Sequence, residues 1–119
     1  MNTRRFTCPC CGYRTLGDSP GSYEICQVCF WEDDPVQLLN PAYAGGANTL
    51  SLMESRTNYQ RMRVSDERFS ANVRSPNKDE ELDPEWRLAV DKDLAKSRAP
   101  RDLSDEEYKL LESWYYWKH

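Results

Sequence analysis

Cys8, Cys11, Cys26 and Cys29 are the residues in this chain best spaced to do chemistry. They form two C-x-x-C knuckles, Cys8-Pro9-Cys10-Cys11-Gly12 and Cys26-Gln27-Val28-Cys29. Two such knuckles supply the four thiolates that a tetrahedral structural Zn²⁺ requires, and a closed four-sulfur site leaves no position for water or substrate. The expected role of the metal, Zn²⁺ as a structural cofactor, is therefore architectural. Four thiolates also suit a rubredoxin-like iron, and spacing alone does not separate the two ions. A redox dithiol would need a strand–helix setting, whereas turn residues flank both knuckles here. Cys10 falls outside the C-x-x-C spacing and is the expected spectator thiol.

Two further stretches offer polar chemistry. Glu32-Asp33-Asp34 directly follows the second knuckle. It reads as a solvated acidic turn, as a patch for a basic partner, or as a magnesium or acid site. Three adjacent carboxylates face one ion only if the loop is contorted, which disfavours the last. Gly45-Gly46-Ala47-Asn48 could offer backbone N–H groups to an anion, but close packing of two backbones needs glycine equally, and packing is the expectation. His119 is the single histidine, so no Ser-His-Asp or Cys-His catalytic pair is expected. The chain is read as a non-enzyme without a small-molecule substrate. Trp114, Tyr115 and Trp117 fall in an aromatic stretch that also holds Tyr108 and Leu111. Trp and Tyr anchor interfaces, so these three and the acidic triplet are the candidate partner-binding residues.

The elements that must position these groups are short. Arg5-Phe6-Thr7 and Tyr13 to Leu16 flank the first knuckle as strands, and Gly17 to Ser22 is dense in turn residues. Gly12 sits where a knuckle requires the left-handed conformation that turns N–H groups toward sulfur. Phe30 occupies the matching place in the second knuckle, where a bulky residue at positive φ is an outlier. That knuckle must carry strain or turn differently. Residues 35–47 read as a loop broken by Pro35, Pro41, Gly45 and Gly46. Ser51-Leu52-Met53-Glu54 is a capping box opening a helix that buries Leu52 and Tyr59. Residues 64–82 are an irregular link. Asp83-Pro84 starts a second helix through Trp86, Leu88, Val90 and Leu94, and Ser104 caps a third. The expected fold is α+β: a small zinc-ribbon-like β-hairpin module followed by about three α-helices. The expected division is a module with its packing helix over residues 1–63 and a helical extension packed on it over residues 64–119.

Composition bounds the rest. The chain has 119 residues, 39% of them hydrophobic, and a formal net charge of −4. That core is lean, and metal binding supplies folding free energy where an unfolded chain has no formed site. The acidic balance argues against a nucleic-acid binder, which ordinarily shows a basic surface. Arg4 and Arg5 are not followed by an apolar stretch, so no signal peptide is read. No apolar run approaches the roughly 18 residues needed to span a bilayer. Five cysteines in such a chain read as metal ligands before disulfides, and the expected location is cytoplasmic.

These residues together resemble the bacterial cysteine-rich CPCC family. The resemblance rests on Cys8 to Tyr13, Tyr23 to Cys26, Val28 to Asp34, Gly45 to Asn48, Ser51-Leu52 and Asn58-Tyr59, and so covers about residues 8–60. It implies a small zinc-binding bacterial module, and because members occur beside secreted polymorphic toxins, it implies an immunity protein whose partner is a cognate toxin. The alternative is a zinc ribbon that contacts nucleic acid through Arg4, Arg5, Arg14, Arg56, Arg61, Arg63 and Arg68. Residues 35–70 carry four arginines against three carboxylates, the slight basic excess on which that alternative stands.

Overall fold

The structure, a computed structural model, describes residues 5–87 and 104–106. Strands β1 (Phe6–Thr7) and β2 (Arg14–Leu16) pair antiparallel around the first knuckle. Phe6 faces Leu16 and Thr7 faces Arg14, with a register irregularity between them. The second knuckle closes its own smaller hairpin, bridged between Ile25 and Glu32 and tied by Tyr23 N–H to Asp33 O and Asp33 N–H to Glu24 O. The α+β, zinc-ribbon-like class is thus the one the sequence indicates.

Helix α1 (Pro35–Leu39) corrects the expected loop over residues 35–47. Its cause is local: Asp34 accepts from Val36 N–H at 2.7 Å, and Pro35 holds the first helical position, where its missing N–H costs nothing. Helix α2 (Leu52–Met62) begins with the expected capping box. Glu54 N–H donates to Ser51 Oγ and Ser51 N–H to Glu54 Oε1, both at 3.1 Å. Leu52 and Tyr59 are buried on its inner face. Arg63 ends it in the left-handed conformation, φ 61°, and a short 3-10 helix follows at Glu67–Asn72.

Asp83 does cap a turn, accepting from Glu85 N–H at its side chain and from Trp86 N–H at its carbonyl. Residues 86 and 87 are not helical, however, so no helix starts there within the described residues. The remaining apolar positions of that expected helix, and Trp114, Tyr115 and Trp117, lie outside the described residues, while Asp105 and Glu106 are helical after Ser104.

The core is built on the cysteines. Leu16, Val28, Trp31, Leu38, Leu52 and Tyr59 pack around them, with Phe6, Tyr13 and Trp86 at the margin. No helix among the described residues is long and apolar enough to cross a membrane.

Candidate metal centre

Cys8, Cys11, Cys26 and Cys29 converge, all buried, with their sulfurs within 4.8 Å of one another. Cys8 and Cys29 sulfurs stand 3.6 Å apart, and those of Cys11 and Cys26 3.9 Å apart. A tetrahedron with metal–sulfur bonds near 2.3 Å has edges of about 3.8 Å. All five cysteines are free thiols, so the geometry is that of ligands and not of disulfide partners.

The two knuckles obey one hydrogen-bond scheme. Gly12 N–H donates to Cys8 O and Phe30 N–H to Cys26 O, while Cys8 N–H donates to Tyr13 O and Cys26 N–H to Trp31 O. The N–H groups at Gly12 and Phe30 therefore go to carbonyls and not to sulfur. Thr15 Oγ1 lies 3.0 Å from Cys26 Sγ and is placed to donate to a thiolate. Gly12 has φ 82° and Phe30 φ 68°, so the second knuckle does hold a bulky side chain in the left-handed region. That costs about 1–2 kcal/mol. Phe30 packs on Phe69 with ring centroids 4.6 Å apart, and such pairs contribute about 0.5–1.5 kcal/mol. The packing offsets the strain.

Electrostatics explains why the quartet needs a cation. Burial pushes the Cys8, Cys11 and Cys29 thiols well above their ordinary value. Thiol hydrogen bonds, that from Cys11 foremost, hold Cys26 well below it. Four buried thiolates are unstable alone, and a divalent ion with four sulfur donors removes that conflict. The residues fit such an ion, and its contribution when bound is to fasten the two knuckles together. Cys10 is also fully buried but outside the quartet.

Asp33 and Asp34 correct the partner-patch expectation. Asp33 is 0% and Asp34 3% exposed, so neither offers a surface to a partner. Asp33 accepts from Gly21 N–H at 2.9 Å, pinning the turn that leads into the second knuckle. Asp34 caps α1 with Oδ1 and accepts Ala47 N–H at Oδ2, 2.9 Å. A Cβ on Gly46 would stand 2.5 Å from that same oxygen, so the glycine loop serves close packing. Its anion is the protein's own Asp34. Glu32 is half-buried, and its backbone is bracketed by Asn48, which donates to Glu32 O at 2.8 Å and accepts Glu32 N–H at 2.9 Å. Gln37, fully buried, completes the set by donating to Tyr43 O, Asn48 O and Leu50 O. A glutamine on a five-residue helix carries no signal in sequence that would mark this role.

Burial lifts the Asp33 carboxyl from 3.8 to about 6, with Glu24 and Asp34 adding repulsion. Because the folded value is raised, its stabilising contribution is complete below about pH 4 and is lost as pH rises through about 6. Metal-saturated wild type should therefore lose stability relative to Asp33→Asn between pH 5 and 7, by about 1 kcal/mol and nearly all of it below about pH 6.5. Urea unfolding of both proteins across that range checks this, and parallel curves contradict the assignment.

A thiolate-fastened hairpin with helices packed around it defines a small zinc-ribbon-like module. The chain belongs to the cysteine-rich CPCC family, whose profile matches residues 6–80. The match extends the resemblance past residue 60, through the 3-10 helix to the buried Glu80. No match was found among curated proteins.

Proposed function

We propose that the chain is a zinc-stapled immunity protein of the bacterial cytoplasm, acting by binding a cognate toxin and not by catalysis. The observation that carries this reading is the closed quartet: four buried sulfurs satisfy a four-coordinate ion completely. Zinc in that position is structural, and function then falls to the surface. The family's occurrence beside polymorphic toxins supplies the kind of partner. Glu32, Trp114, Tyr115 and Trp117 are the remaining candidate contact residues, since Asp33 and Asp34 are internal.

The nucleic-acid alternative has little to draw on. Arg5 pairs with Glu80, Arg14 with Glu81 and Asp83, and Arg68 with Asp66. Arg56 is buried beside the Trp86 ring, 4.8 Å from its centroid, and Arg63 lies over Tyr59. Cations engaged in this way leave few to neutralise phosphates.

The test is co-expression with the reading frames that flank this gene. Protection of the host, a stable complex on gel filtration, and loss of both in a folded, zinc-loaded Trp117→Ala protein are expected. Absence of protection by the wild type overturns the reading. Sub-micromolar binding to a DNA or RNA strand at about 0.15 M salt would install the alternative.

A further inference from the structure

The family match ends at Glu80, and the next six residues do something specific to the metal centre. Glu81 to Asp83 run antiparallel to the exit of the first knuckle. Arg14 N–H donates to Glu81 O and Asp83 N–H to Gly12 O, both at 2.8 Å, and Tyr13 bridges Leu82. Thr7 Oγ1 donates to Asp83 Oδ2 at 2.8 Å. The Asp83 turn then sends Trp86 back over the knuckle, where its Nε1 donates to Pro9 O at 3.0 Å. The indole lies so close to Gly12 that a Cβ there would stand 2.6 Å from Cδ2.

The second knuckle is covered differently. Phe30 packs on Phe69 and Ser65 N–H donates to Cys29 O, all within the family-matched span. The first knuckle depends on a narrow segment whose Leu82 side chain is 50% exposed. A segment with few buried apolar contacts opens locally at less cost than the core. Ligand exchange at a buried thiolate site requires an incoming group to reach a sulfur, and the indole lies over Pro9 and Gly12 of the knuckle that carries Cys8 and Cys11.

We propose that residues 81–86 form a strap whose local opening sets the rate at which the centre releases its metal. The strap holds the Cys8–Cys11 knuckle under Trp86, and each opening exposes that knuckle to a competing ligand. The inference rests on the quartet holding zinc, so zinc content of the full-length wild type is measured first. Its absence would overturn the metal assignment itself.

Zinc release from the full-length protein into excess chelator is then followed for wild type, Trp86→Phe, Trp86→Ala and the outward-facing Leu82→Ser. Trp86→Ala should hold one zinc yet release it at least about tenfold faster, the effect expected when an opening becomes cheaper by about 1.4 kcal/mol. Trp86→Phe should be intermediate, and Leu82→Ser should match wild type. In zinc-loaded wild type, the amides of Arg14 and Asp83 should exchange hydrogen well before those of Gly12 and Phe30. Release from Trp86→Ala within twofold of wild type overturns the proposal. So does a Trp86→Ala protein purified without zinc, because the strap is then part of the folding unit. Simultaneous exchange of all four amides overturns it without recourse to a variant.

Discussion

Cys26→Ser should yield a chain without stoichiometric zinc and without cooperative unfolding, whereas Cys10→Ser should retain one zinc. The contrast follows from position: Cys26 is one of four converging sulfurs, and Cys10 is not. Structural zinc sites carry about 10–16 kcal/mol of apparent binding free energy at neutral pH, against about 5–15 kcal/mol for the whole stability of an ordinary domain. Removing one thiolate leaves the other three buried without a full partner set, so the loss is not partial. Metal analysis with near-UV circular dichroism checks both variants, and the wild type treated with chelator should match Cys26→Ser. Visible charge-transfer bands in the native protein would show iron in place of zinc.

Asp34→Ala should cost about 2–4 kcal/mol, more than an exposed acidic residue could. The cap of α1 accounts for about 1 kcal/mol. The bond from Ala47 N–H, a hydrogen bond to a charged carboxylate, accounts for about a further 1–3 kcal/mol. Replacing Asp34 by lysine should prevent folding, because the new side chain would meet Gly46 and Gln37. A surface triplet used for steering would behave otherwise: charge reversal there would slow association and leave the melting curve in place. Thermal denaturation of the zinc-loaded variants separates the two, and an unchanged midpoint for Asp34→Ala would refute the internal role.

Those acids also mark where sequence reading stops. Cysteine spacing announces the quartet because thiolate ligands obey a strict geometry, and Ser51 with Glu54 announces α2 because a capping box is self-contained. Asp33 and Asp34 look like solvent-facing acids because their partners are the backbone N–H groups of Gly21, Val36 and Ala47, which every sequence possesses. Helix α1 is too short for an apolar period to show, and two flanking prolines give the same stretch the look of a loop. Gln37 and Asn48 are ordinary polar residues until folding brings them 2.8 Å apart. Trp86 reads as the apolar face of a helix, because nothing local reveals that Pro9, far earlier in the chain, accepts its indole N–H. Apart from α1, which is simply short, partners distant in the chain are the common element.

The two knuckles share one hydrogen-bond pattern but differ in when their partners arrive. The second is bracketed by Asn48 across a separation of 16 residues and covered by Ser65 and Phe69 across 36 and 39, whereas the bonds that close over the first, from Thr7 to Asp83 and from Trp86 to Pro9, span 76 and 77. Longer closures cost more chain entropy and form later, and during synthesis Trp86 leaves the ribosome last among these residues. The metal module therefore assembles from its second half backward. Its amino-terminal cysteines, first to be made, are the last to be enclosed.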